Sequence, residues 1–163
     1  MAPRPVVERA TLLNGIAELH PNTVGQHIVV EFARRGWLEE QIAQARTIYR
    51  TRCQAMDAAL RRHRIPGLRW TAPEGGLFLW LQLPDQVNAC DLLAETAQRG
   101  VVFLPGSLMY PAAGPRNVCR LNFSMPDQEA IERGVATIAA ALRQLLRKPA
   151  EPSDEPMVAD PIV

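Results

Sequence analysis

The longest periodic stretch of the chain runs from Trp37 to Arg64, and it limits what the rest can fold into. Leu38, Ile42, Ala45, Tyr49, Cys53, Met56 and Leu60 recur at steps of three and four, which is one apolar stripe on an α-helix. Arg46, Arg50, Asp57, Arg61 and Arg64 fall on another face. Such a helix would be about 40 Å long at the usual rise per residue. That is long for a small domain. It suits a helix that leaves one domain and supports another.

The flanking segments are shorter. Val6 to Leu19 carries Ala10, Leu13 and Ala17 at helical spacing, and His20-Pro21-Asn22-Thr23 breaks it, since proline disfavours helix at the residue before it. Asn22 and Thr23 are good caps, and a second helix is expected from Val24 to Arg35, stopped by Gly36. After the long helix, Ile65-Pro66-Gly67 is a break, and Leu68 to Thr71 is a short strand candidate. Leu77 to Leu83 is apolar on both faces except for Gln82 and reads as a central strand. Asn88 is placed to cap a helix over Ala89 to Arg99, with Gly100 beyond its end. Strands are expected at Val101–Leu104 and Val118–Phe123, with loop at Tyr110–Asn117. Pro126 opens the last helix, Ser124 and Asp127 have the spacing of a capping box, and Ile131, Val135, Ile138, Leu142 and Leu145 form its stripe. From Pro149 the chain is rich in proline and acid, so 149–163 is expected to be a disordered tail. Strands and helices mix without strict alternation. The fold class is therefore α+β, with a small mixed or antiparallel sheet covered by helices.

Composition excludes several classes of function. The net charge is +1, and although there are 17 arginines to one lysine, 17 acidic residues nearly balance them. The arginines do not interleave with stacking aromatics, so neither nucleic acid nor an acidic membrane is an expected partner. Biased codon usage accounts for the arginine excess. No apolar run approaches the roughly 20 residues of a membrane span, and Met1-Ala2-Pro3-Arg4-Pro5 lacks the apolar stretch of a signal peptide. Cys53, Cys90 and Cys119 are odd in number, far apart and not grouped with His20, His27 or His63. A metal site or a disulfide framework is not expected, and free thiols in the cytoplasm are.

Arg120 is the sharpest candidate for function. It lies mid-strand between Cys119 and Leu121. A guanidinium there is costly to bury without an anion, and its planar fork matches a carboxylate with two parallel hydrogen bonds. From the strand alone, a structural ion pair, an exposed strand face and a ligand site all remain open. Ser107 and His20 read as turn and capping residues.

Three segments, taken together, narrow this. Pro73-Glu74-Gly75-Gly76-Leu77-Phe78-Leu79-Trp80, then Gly100-Val101-Val102-Phe103-Leu104-Pro105-Gly106-Ser107, then Arg120-Leu121-Asn122-Phe123-Ser124 resemble the small C-terminal domain of fold type I aminotransferases, which depend on pyridoxal phosphate (PLP). The resemblance runs from about Val6 to Arg147. It is nearest the aminoadipate and kynurenine transaminases of class I/II; the alternative is the effector-binding module of a MocR/GntR-type transcriptional regulator, which carries a similar domain, or a degenerate non-catalytic protein, but Phe78-Leu79-Trp80 looks more like the enzymes.

The resemblance implies that Arg120 binds the carboxylate of an amino-acid or 2-oxo-acid substrate, with Gly75 and Gly76 turning the backbone close beside it. It implies that 1–36 is the end of the PLP-binding large domain and 37–148 is the interdomain helix and small domain. His20 to Gln26 would lie near the subunit interface of the family's homodimer. The lysine that carries PLP in the family has no counterpart here, because the one lysine, Lys148, follows the last helix. No catalytic residue is assigned, and this chain alone is expected to be inactive. The apolar face of residues 6–36 is expected to lack packing partners.

Overall fold

The computed structural model describes residues 2–18, 22–110 and 114–147. The expected tail, Lys148 and His20 lie outside these. The described residues divide into two compact units between Arg46 and Thr47.

The first unit holds α1 (Arg4–Ala17), α2 (Thr23–Arg34) and the start of α3 (Trp37–His63). Asn22 caps α2 by accepting a hydrogen bond from the Gly25 amide at 2.9 Å. Gly36 separates α2 from α3 at φ +74°, a left-handed conformation that favours glycine. Neither α1 nor α2 has a buried residue. Ile16 is 81% exposed and Val24 67%.

The second unit contains the sheet and the core. Its strands are β1 (Arg69–Trp70), β2 (Phe78–Gln82), β3 (Leu104–Pro105) and β4 (Val118–Asn122). Their order is β1-β2-β4-β3, antiparallel at every pair. The sheet is thus α+β as expected, with β2 central. Leu79 and Leu81 of β2 and Cys119 and Leu121 of β4 are buried on one face. They join one core with Met56 and Leu60 of α3, Leu92 of α4 (Ala89–Ala97), and Ile131, Val135, Ile138 and Leu142 of α5 (Gln128–Arg147). The α5 stripe therefore packs as its spacing predicts. The α3 stripe is buried at Met56 and Leu60, while Leu38 and Ile42 are exposed.

Three expectations are corrected. The strand placed at Val101–Leu104 pairs only at Leu104–Pro105. Gly100 turns the chain at φ +75°, and the Val101 amide bonds back to the Thr96 carbonyl at 3.0 Å, so the segment is still leaving α4. Pro105 fits this strand because β3 is an edge, where a missing N–H is tolerated. The cap of α5 is Asp127, not Ser124: its carboxylate accepts from the Ala130 amide at 2.8 Å. Ser124 is instead taken up by Asn122, whose Oδ1 accepts from its amide and hydroxyl at 2.7 and 2.8 Å. Finally, β2 is not apolar on two buried faces, since Trp80 is 45% exposed. No helix among the described residues is long and apolar enough to cross a membrane.

Candidate functional site

The open face of the sheet is built by alternation. In β2 and β4 the register pairs Phe78 with Asn122, Trp80 with Arg120 and Gln82 with Val118. Successive strand residues point to opposite faces. These six therefore share the face opposite Leu79, Leu81, Cys119 and Leu121. Leu104 of β3 pairs with Arg120 from the other side. Arg120 sits in the middle strand row, between Trp80 and Leu104.

The Arg120 side chain is half-buried, and its guanidinium carbon lies 3.9 Å from the centroid of the Phe78 ring. None of the ion pairs or hydrogen bonds seen among the described residues uses this guanidinium. The guanidinium lies over that ring. Its N–H donors lie around the edge, in the plane, and are the groups that a carboxylate meets. Half-buried, and with no anion on it among the described residues, such a guanidinium can pair with one.

Gly75 and Gly76 lie in the exposed turn just before Phe78. Gly76 has φ +81°, which explains a glycine there. A Cβ at either position would meet nothing within 4 Å, so the turn leaves open space beside the start of β2.

The segment after β3 is more tightly built. A short 3-10 turn covers Gly106–Met109. A Cβ on Gly106 would come within 2.1 Å of Val118 Cγ2, so only glycine lets this turn lie against β4. Ser107 Oγ is 3.9 Å from Cys90 Sγ, at the start of α4. Asn22 caps α2 and Thr23 begins it.

Cys119, the neighbour of Arg120 in β4, offers no nucleophile. Burial pushes the Cys119 thiol up to about 12, which keeps it protonated. Burial, with the Asp57 charge second, raises the Cys53 thiol. All three cysteines are free. Among the described residues, no group of three or more His, Cys, Asp or Glu could hold a metal ion.

PLP, which the resemblance implies, requires a lysine amine to carry it. The described residues contain no lysine. They therefore do not fit covalent attachment of the cofactor.

The sequence marks Arg120 as a candidate and carries no signal for the Phe78 ring beside it. The alternation was readable, but the register that brings Phe78 diagonally beside Arg120 was not. The packing of Gly106 against Val118 depends on strand pairing and leaves no local signal in the sequence.

Known proteins share this architecture. A 2-aminoadipate transaminase from Thermus thermophilus is 35% identical over 130 residues, covering 80% of this chain and 32% of that protein. The HTH-type transcriptional regulator TauR from Rhodobacter capsulatus is 31% identical over 144 residues, covering 88% of this chain and 30% of that protein. The crystal structure of α-aminoadipate aminotransferase from Thermus thermophilus, complexed with N-(5'-phosphopyridoxyl)-L-leucine, superposes with a TM-score of 0.78 at 32% identity. It covers 90% of this chain and 37% of that one. The chain spans about a third of the length of the curated relatives it matches. The family model for aminotransferase class I and II matches residues 6–138. That match runs from α1 into α5 and takes in the whole sheet, and on it the chain belongs to the class I and II aminotransferases.

Proposed function

We propose that this chain supplies the substrate-carboxylate site of a PLP-dependent aminotransferase. The family depends on PLP. The whole enzyme would move an amino group between an amino acid and a 2-oxo acid. Arg120 would hold the α-carboxylate, and the turn at Gly75 and Gly76 would leave room for the substrate beside it. The observation that carries this reading is the half-buried Arg120 guanidinium, stacked on Phe78 and without an ion pair among the described residues. Residues 1–36 would belong to the PLP-binding large domain, and 37–148 to the interdomain helix and small domain. The homodimer of the family and a cytoplasmic setting, which the free thiols suit, are parts of the same proposal.

On this reading the chain binds and orients substrate and performs no covalent step. Incubation with PLP and borohydride, followed by peptide mapping, tests that division. The expected result is no adduct at a defined internal residue. A stoichiometric adduct at one site would overturn it.

The likeness to TauR supports a second reading, in which the same face binds an effector for a transcriptional regulator. Sequencing the gene upstream separates the two. A joined lysine-bearing large domain supports the enzyme, whereas a DNA-binding domain ahead of it supports the regulator.

A further inference from the structure

We infer that Phe78 is a positioning residue: it holds the Arg120 guanidinium flat, so that the N–H edge faces an incoming carboxylate. This rests on the carboxylate role proposed for Arg120. Phe78 pairs with Asn122 and Trp80 with Arg120, so Phe78 is the diagonal neighbour of Arg120 on the open face. Aromatic side chains reach that far across a sheet. The guanidinium carbon stands 3.9 Å from the ring centroid, well inside the range of a cation–π contact.

The consequence is entropic as well as electrostatic. A free arginine samples many rotamers and loses that freedom when it grips a ligand. An arginine already stacked on a ring has less left to lose. The ring is itself well anchored. Phe78 is half-buried and is the first residue of β2. The ladder to β4 begins there and is extended by the Phe123 amide, which donates to the Leu77 carbonyl at 3.1 Å.

Competition for the guanidinium is also low. Asn122 is the residue directly across from Phe78, and its Oδ1 already accepts from both the amide and the hydroxyl of Ser124. Trp80, directly across from Arg120, is a donor without an acceptor oxygen. Neither of these side chains thus satisfies the guanidinium, and the Phe78 ring is the group that lies against it. That is the arrangement a ligand site needs and a structural ion pair does not.

The test uses the full chain and pyruvate as the carboxylate probe, with the arginine side-chain resonances followed by NMR. In the free protein, the Arg120 guanidinium protons should be shifted upfield by the Phe78 ring current. Pyruvate should move them saturably. Phe78→Leu keeps an apolar side chain but removes the π face. It should abolish the upfield shift and weaken pyruvate binding by roughly fivefold. Phe78→Tyr keeps the face and should restore both. The backbone amide spectrum reports whether each variant retains the sheet, and the ring-current shift of the unmodified chain needs no variant at all. Unshifted guanidinium protons in the free protein would overturn the positioning role. So would wild-type pyruvate affinity in a folded Phe78→Leu chain, which would leave the role of Arg120 intact. No response of Arg120 to pyruvate in the unmodified chain would overturn the carboxylate role itself, and the positioning role would fall with it.

Discussion

The two units use the same kinds of residue to opposite effect. In the second, Leu60, Leu79, Leu92 and Leu142 are nearly or fully buried in one core. In the first, Leu12, Leu13, Ile16, Val24 and Ile28 lie open on α1 and α2. An amphipathic face stabilises a helix only when something covers it. The second unit covers its own faces: α3, α4 and α5 meet the sheet. The first unit has helices and caps but no buried residue in α1 or α2. Its helices have the pattern of packed elements without the packing. The difference teaches that local signals, such as the Asn22 cap and the Gly36 break, can define a helix whose stability must come from elsewhere.

Core truncation should separate the units most strongly. Leu142→Ala removes a fully buried side chain and should destabilise the chain by about 2–5 kcal/mol in denaturant unfolding. Ile16→Ala, on the open face of α1, should change stability by no more than about 0.5 kcal/mol. Hydrogen exchange should likewise protect β2, β4 and α5 and leave residues 6–36 exchanging fast in the monomer. Full protection of residues 6–36 would break the comparison.

The same glycine substitution should act with opposite sign in the two units. Gly106→Ala would drive a Cβ to 2.1 Å from Val118 Cγ2 and 3.0 Å from the Val118 carbonyl oxygen, and should cost about 1–3 kcal/mol. Gly15→Ala lies inside α1, where a Cβ would meet nothing within 4 Å, and should stabilise that helix by about 0.5–1 kcal/mol. Circular dichroism with thermal melting reads both.

A smaller contrast concerns two ion pairs of equal spacing. Arg35–Glu31 and Arg61–Asp57 are each 2.8 Å long and four residues apart. Glu31 is half-exposed, so removing it should change little. Asp57 is less exposed and also accepts the Trp70 indole N–H at 2.8 Å. The Arg61 hydrogen bond above all, with the indole's help, holds the Asp57 carboxyl below its ordinary value of 3.8. A depressed carboxyl contributes its stability above the unfolded value and loses it as pH falls through the folded one. Asp57→Ala should therefore cost about 1 kcal/mol at neutral pH, and the gap from wild type should close below about pH 4. A gap independent of pH would remove the charged carboxylate from the explanation.

These contrasts also mark what was legible in the sequence. Caps and breaks at Asn22, Gly36, Asn88 and Gly100 were readable, because each acts within a few residues of itself. The stripe of α5 was readable for the same reason. The extent of β3 was not, because a ladder depends on a partner strand distant in sequence. Val101 and Val102 have strand-forming side chains, yet pairing begins only at Leu104. The Ser124–Asp127 spacing misled because Asn122, two residues earlier, takes the serine. At the candidate site, Arg120 stands out as a candidate from its motif and its place in a strand. Its stacking on Phe78 depends on register, which spacing alone does not fix.

Arg120 is proposed to make the open face of the sheet a carboxylate site. Titration of the full chain with pyruvate, mapped on backbone amides by NMR and repeated with Arg120→Gln, tests it most directly. If Arg120 holds the carboxylate, saturable shifts should cluster at Phe78, Trp80, Leu104 and Asn122 in the unmodified chain and be lost in a folded Arg120→Gln chain. Equal binding by Arg120→Gln, or shifts clustered away from this face, would contradict it.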